Sequence, residues 1–441
     1  MHAVDWTGFL ARTHRNCSAC ANCPHKAPDA QASARWLPTV SATVWALGIT
    51  SLFTDVSSEM VASVLPMYLV LQLGMQPLAF GIVDGLYQGV AALVRVAAGV
   101  AADRLRRHKE IAAIGYVLSA LCRPALLVAG STWMAIAGIV AVDRIGKGVR
   151  TAPRDALISM RSPCRELATA FGVHRALDAG GAMLGPLVAF AVLAAMPQRF
   201  DVLFAISFAV ALVGVGVILL CVEPAGDRTA VVLAPVAIDR ARDLLRSPSF
   251  RAILFAGFVL GLPTMSDGFI FLALQRQLRI GATAFPLFYV ATSLFTALFS
   301  VPSGRLADRF GRTTVLIFGY GLLAMIYLAL AAPTASPLAA LASLALLGAY
   351  YSATDGVLTA MAAASLARSA SGTGLSLLAT VINVSRLGAS VLFGLLWTWA
   401  GIGAAAGVFF VGLVGAIAAA GIVLLRAERA IDTAAPKRLA S

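Results

Sequence analysis

The stretch GVAADRLRRHK, from Gly99 to Lys109, decides how this chain is read, because it returns as GRLADRFGR from Gly304 to Arg312. Each copy follows an apolar run of membrane-spanning length, opens on a glycine, places Asp-Arg four residues later and ends in a basic cluster. The copies lie 205 positions apart. A repeat at that distance reads as duplication of a unit about half the chain long.

Working outward, the flanks are too apolar for a water-soluble protein. The 441 residues are 59% hydrophobic and 12% charged, with mean hydropathy +0.86, whereas soluble globular chains carry about 25% charged residues. A helix crosses the hydrocarbon in about 20 residues. From Leu37 onward the sequence divides into roughly twelve such runs, separated by short Gly, Pro or charged breaks. Frequent Ala and Gly within the runs suit close helix packing in lipid. The expected organisation is a tail over 1–36, a six-helix bundle over 37–222, a linker over 223–249 holding Pro224, Pro235 and Pro248, a second bundle over 250–425, and a tail over 426–441.

The net charge of +13 is distributed by loop and does not gather on one face, which argues against nucleic acid as partner. Basic residues fill Arg104 to Lys109, Arg161 and Arg165, Arg228 to Arg251, Arg309, Arg312, Arg368, and Arg426 to Arg438. The alternate connections near Gly74 to Pro77, Gly130 to Thr132, Ala331 to Pro337 and Ala400 to Gly403 have none; Arg199, Arg276 and Arg279 break the pattern. By the positive-inside rule both termini are expected in the cytoplasm. Residues before Leu37 lack an apolar core, so no cleavable signal peptide is expected, and no disulfide is expected from the six cysteines. Cys17, Cys20 and Cys23, with His14 and His25, are weak candidates for a soft metal, but no second knuckle follows them. The segment is either that ligand set or an unstructured start.

The repeated loop resembles the one between the second and third helices of the major facilitator superfamily, and its counterpart after helix eight. The second copy fits the pattern G-x-L-A-D-R-x-G-R throughout, while the first has Ala101 in place of Leu and Arg106 in place of Gly. The resemblance implies an all-α integral membrane protein of twelve transmembrane helices in two pseudo-symmetric six-helix bundles, with a cavity lined by spans one, four, seven and ten. It also implies that Gly99, Asp103, Arg104, Arg107, Gly304, Asp308, Arg309 and Arg312 brace alternating conformations. Asp103 and Asp308 would engage helix N-termini of the opposite half, and the arginines would hold helix ends.

Charges inside the spans mark the candidate site. The first span carries Asp55 and Glu59, at i and i+4 on one face. A carboxylate near mid-bilayer costs about 2.5 kcal/mol or more, so the two are either satisfied by nearby Ser, Thr and Arg or functional. Asp84 of the second span is either cavity-facing or interfacial, Arg95 snorkels, and Arg123-Pro124 of the third reads as a packing or interhelical feature. The fourth span places Asp143, Lys147, Arg150 and Arg154 on one stripe with Arg144 beside it. Arg150 and Arg154 are either topology anchors or cavity groups. Arg144 to Gly148 resembles the family's helix-four signature, whose Arg is tied to proton coupling. His174 and Asp178 of the fifth span form either a proton relay or a local pair. Gly181, Gly185 and Pro186 resemble the helix-five signature of proton-coupled exporters, although small-residue packing also produces such spacing. Asp267 in the seventh span lies at a depth like that of Asp55, Tyr350, Tyr351 and Asp355 fall in the tenth, and Asn383 and Arg386 in the eleventh. Trp36, Trp133, Trp397 and Trp399 fall near helix ends, as interfacial anchors do.

These residues point to a secondary active transporter for a small polar or charged solute, embedded as a monomer in the lipid bilayer of a bacterial inner membrane. Asp55, Glu59, Arg144 and Asp267 are the coupling candidates, and Asp143, Lys147, Arg150, Tyr351 and Asp355 the cavity candidates. Burial favours a neutral carboxyl and an adjacent Arg an ionised one, so a solute that diverts the Arg moves a proton. The implied coupling ion is H+ and the implied direction efflux; uptake of an organic anion or amino-acid-like solute is the alternative, and a non-transporting sensor a remote one. No Gly-Lys-Ser/Thr phosphate loop and no nucleophile elbow occurs, so neither ATP, another cofactor nor an enzymatic activity is expected.

Overall fold

A computed structural model describes residues 40–130, 132–162, 166–223, 244–331, 336–366 and 371–439. Cys17, Cys20 and Cys23 and most of the expected linker lie outside these residues. The described chain is helical, with no strand among the described residues. It runs α1 (Ala42–Met67), a π-helical turn (Tyr68–Gln72), α2 (Pro77–Leu105), α3 (His108–Val128), α4 (Trp133–Arg161), α5 (Leu167–Ala195) and α6 (Phe200–Cys221). After the linker come α7 (Pro248–Gly261), α8 (Asp267–Leu278), α9 (Pro286–Phe310), α10 (Arg312–Ala331), α11 (Pro337–Ser365) and α12 (Ser371–Leu439), the last bent at Gly401 with φ 80°. Among the described residues, eight segments are long and apolar enough to cross a membrane. α1 and α4 are of spanning length too, and carry Asp55 with Glu59 and the Asp143–Arg154 stripe respectively.

Local chemistry explains the boundaries. The Ser41 hydroxyl accepts from the Val44 N–H at the start of α1 and Ser247 does the same for Phe250 before α7, satisfying donors that lack helical partners. Pro77 and Pro248 open α2 and α7, where a missing N–H costs nothing. The two loop copies turn differently. Arg106 closes α2 in the left-handed region (φ 52°, ψ 31°), whereas its counterpart Gly311 takes φ 91° and ψ 144°, a conformation open only to glycine.

The seventh span departs from expectation. Read as one helix from Phe250 to about Leu274, it is broken between Gly261 and Asp267. Pro263 sits in the break, where its ring disrupts the helical ladder. Tyr327 of α10 repairs the loss: its hydroxyl donates to the Pro263 carbonyl at 2.8 Å and accepts from the Met265 N–H at 2.7 Å. Non-helical backbone at membrane depth is tolerated only with such partners.

In the first half α1 packs on α5 and α6, α4 on α2 and α3, and α3 on α6; in the second, α7 packs on α12 and α11 on α9 and α10. The halves meet along two seams, α2 with α12 and α5 with α9. At the α2–α12 seam glycines bring backbones together. A Cβ on Gly81 would stand 2.5 Å from the Ser390 carbonyl oxygen, and one on Gly394 2.5 Å from that of Pro77. Phe80, Phe269, Phe393 and Trp397 pack ring against ring across this end, with the Phe269 centroid 4.7 Å from Phe80, 4.8 Å from Phe393 and 5.6 Å from Trp397. The aromatic cluster seals the end of the cavity where α2 begins.

Candidate functional site

A cavity of about 310 Å³ lies between the halves, lined by Glu59 of α1, Asp84 and Tyr87 of α2, Asp267 of α8, Tyr351 of α11 and Arg386 of α12, among others. The break before α8 puts Asp267 at a helix N-terminus, where backbone N–H groups favour a carboxylate. Its Oδ1 accepts from the Tyr351 hydroxyl at 2.5 Å. Asp84 Oδ2 accepts from the Ser390 hydroxyl at 2.6 Å, tying α2 to α12. Arg386 reaches to 3.7 Å from Asp355, whose side chain is largely exposed. The cavity is polar, mixed in sign and built by both halves.

Below it the charged stripe of α4 is paired with neighbouring helices. Asp143 accepts from Arg123 Nη1 at 2.6 Å and from the Arg144 guanidinium. Arg123 also donates to Ser58 at 2.8 Å and to the Ser119 carbonyl at 2.9 Å, while Arg144 lies over the Tyr87 ring at 3.8 Å. Arg123 is therefore the interhelical pairing group that its sequence context suggests. Arg150 stands 3.6 Å from Asp55, donates to Ser119 at 3.1 Å and covers the Tyr116 ring. Arg154 donates to Ser51 at 3.1 Å and to Asp155 at 3.0 Å, and lies 3.7 Å from Asp178 of α5. Lys147 makes no ion pair within 4.0 Å among the described residues.

Of the sequence candidates, Glu59, Asp267 and Tyr351 line the cavity. Asp143 and Arg144 face a small separate hollow beside Arg123. Asp55 and Arg150 belong to the α1–α4–α5 cluster. Asp355, with Gly304, Asp308 and Arg312, lines a second, open hollow between α9 and α11. Gly181 and Gly185 pack on α1 at the level of Asp55 and Glu59. Of the loop copies, a Cβ on Gly99 would meet Ala152 of α4 at 3.2 Å, one on Gly304 would meet nothing within 4 Å, and Arg312 donates to the Ala360 carbonyl of α11 at 3.4 Å. Arg104, Arg107 and Arg309 are exposed, and the Asp103 side chain lies outside the described residues. Among the described residues no group of three or more His, Cys, Asp or Glu side chains is placed to hold a metal.

Tyr87 and Tyr289 are cavity residues that sequence reading passed over. Tyr87 lies three residues after Asp84 on the same helix face, a signal present in the sequence; Tyr289 offers none, since the charges of its helix, Arg305, Asp308 and Arg309, all lie at the opposite end.

The Major Facilitator Superfamily model matches residues 47–274 and 253–440. An uncharacterized MFS-type transporter of Methanocaldococcus jannaschii is 30% identical over 81% of this chain and 89% of its own length. An uncharacterized protein of Mycobacterium tuberculosis is 30% identical over 62% of this chain and 67% of its own length. Among solved structures, the nucleoside transporter NupG superposes with TM-score 0.71 at 14% identity, covering 87% of this chain and 99% of its own. A POT family transporter in complex with a thioalcohol-conjugated peptide gives 0.71 at 13% identity, covering 88% and 96%. With its helices, its interbundle cavity and its repeated loop, the chain belongs to the major facilitator superfamily of multi-pass membrane transporters and is not an enzyme.

Proposed function

We propose that this protein is a secondary active transporter that moves a small polar or charged solute by alternating access, in antiport with H+ and in the direction of export. The observation that carries the reading is the cavity shared by both halves, with Glu59, Asp84, Asp267 and Arg386 on its walls and the Phe80–Phe269–Phe393–Trp397 cluster closing one end. Charge distribution supports a cytoplasmic location for both termini, so the sealed end is the outer one, and the composition suggests a bacterial inner membrane. A volume of about 310 Å³ accommodates a solute no larger than a small metabolite. Direction rests on the Gly181–Gly185–Pro186 element alone.

Uptake of an organic anion is the second reading, supported by the deep Arg and Lys residues. The structure weakens that support, because Arg123, Arg144 and Arg150 already face carboxylates. Such cations are offset and present less free positive charge to a solute.

The test is an untargeted comparison of small molecules inside cells and in their medium, with the protein deleted, restored or overproduced. Export predicts a compound that accumulates in deleted cells and appears outside on overproduction. A compound left in the medium only by deleted cells would reverse the direction. For any compound found, flux into liposomes under an imposed pH gradient then tests the coupling ion.

A further inference from the structure

Three carboxylates line the cavity between the halves: Glu59 of α1, Asp84 of α2 and Asp267 of α8. Among the described residues no Lys, Arg or His nitrogen stands within 4.0 Å of any of them. Asp84 and Asp267 accept hydrogen bonds from the neutral hydroxyls of Ser390 and Tyr351, which bring no counter-charge. The one cationic side chain on the cavity wall among the described residues, Arg386 of α12, is turned aside. Its Nη2 stands 3.7 Å from Asp355 Oδ1, and its Nε is buried without a hydrogen-bond partner. Asp355 lines the neighbouring hollow between α9 and α11, so the charge of Arg386 is offset there.

Charge taken out of water is costly unless it is paired. A solute that brings positive charge and N–H donors meets three acceptors in this cavity, whereas an anion meets three like charges and one guanidinium already engaged. The aromatic lining agrees. Tyr87, Tyr289 and Tyr351 stand on the same walls, and the Tyr87 ring already carries one cation, the Arg144 guanidinium at 3.8 Å, as tyrosine faces do. Ala62, Leu65 and Pro66 of α1, with Phe80 at the sealed end, add an apolar side. Walls of this mixture suit a positive head on a short apolar body.

We propose that the solute is an organic cation, a small amine whose ammonium is held by Glu59, Asp84 and Asp267 and whose apolar part lies against α1. The proposal rests on the transport reading above and names the class of its solute. It runs against an organic anion. Because Glu59 and Asp84 belong to the first half and Asp267 to the second, an ammonium between them ties the two bundles together.

Matched trios test the class before the solute is known. Primary amines, alcohols and carboxylic acids on the same short alkyl and phenylalkyl skeletons, sized to the cavity, are added to the purified full chain in lipid nanodiscs, and thermal unfolding and affinity are measured. Amines should stabilise the protein and their alcohols and acids should not. Asp267→Asn and Asp84→Asn should each weaken amine binding by about 10- to 100-fold, the range for a hydrogen bond to a charged group. Should Asp84→Asn not fold, Glu59→Gln serves instead. Asp201→Asn, in an exposed pair with Arg199 at the start of α6, should bind as wild type does, and Arg386→Gln should keep amine binding. Stabilisation by the acids alone, loss of amine binding by folded Arg386→Gln, binding unmoved by every carboxylate variant, or no response to any amine each overturns the proposal. The two readings fail separately. Amines that bind but do not cross proteoliposome membranes under an imposed pH gradient sink the transport reading and leave the amine site standing. Flux confined to neutral or anionic compounds sinks the amine site and leaves transport standing.

Discussion

Gly185 of α5 lies so near Glu59 of α1 that a Cβ placed on it would stand 2.7 Å from Glu59 Cβ. The same Cβ would be 2.8 Å from the Val56 carbonyl oxygen and 2.9 Å from the Met60 nitrogen. Four residues earlier Gly181 stands in the same relation to Leu52 and Asp55. The two glycines and the two carboxylates thus share one helix crossing, each pair separated by one turn. A motif that reads as helix packing and a motif that reads as chemistry are two sides of one contact.

Gly185→Ala should therefore be destabilising by about 1–3 kcal/mol, the usual cost of overpacking, because the atoms it meets include rigid backbone. Gly172→Ala on the same helix, where a Cβ meets nothing within 4 Å, should be neutral or gain a few tenths of a kcal/mol from helix propensity. Thermal unfolding of both variants in one detergent checks this; equal midpoints would mean that α1 and α5 can separate at little cost.

Asp143 offers a second case. It neutralises two buried guanidiniums, Arg123 and Arg144, and Asp143→Asn leaves both without their counter-charge. Breaking a buried ion pair from one side typically costs about 3–5 kcal/mol. Loss of folded protein is the expected result, read as recovery from membranes and as unfolding midpoint. A stable variant that fails only in transport would make Asp143 a working residue and not a structural one.

Much of this arrangement is legible in the amino-acid order alone. The repeated loop shows the duplication, and the i, i+4 spacing of Asp55 and Glu59 is enough to predict a polar face on α1. Of the stripe, Asp143, Arg150 and Arg154 meet side chains of other helices. What spacing cannot supply is the partner. Asp84 bonds Ser390 across 306 positions, and Tyr351 bonds Asp267 across 84; nothing local to either residue encodes the other. The break ahead of Asp267 is within reach of sequence reasoning, since Leu-Pro263-Thr is a poor helix sequence. Its repair by Tyr327 is not, because a tyrosine in an apolar run reads the same whether or not its hydroxyl is used.

Within the cavity, Tyr351→Phe removes the 2.5 Å bond to Asp267 and nothing else of comparable strength. A hydrogen bond to a charged group contributes about 1.5–3 kcal/mol, so a solute that engages Asp267 should change affinity by roughly 10- to 100-fold. Binding of the compound found by the metabolite comparison, measured on purified wild type and variant, gives the answer. Unaltered affinity would place the solute on Glu59 and Asp84, away from α8.

The last prediction concerns closure. The Leu78 N–H donates to Thr398 Oγ1 at 3.0 Å, so the beginning of α2 and the end of the first limb of α12 touch at the sealed end of the cavity. Alternating access requires this contact to part once in each cycle. With the six native cysteines replaced by serine, Leu78→Cys combined with Thr398→Cys should cross-link under mild oxidation. Flux should then stop and should return on reduction. Cross-linking without loss of flux would show that the halves do not separate here, and would move the gate to the α5–α9 seam, the other line along which the two bundles meet. At that seam Thr283, just before α9, donates to the Leu193 carbonyl of α5 at 3.5 Å. The α2–α12 seam has two shorter ones and the aromatic cluster, and more of its contacts must be broken to open it. It is the better place for a gate that must hold while the other side is open.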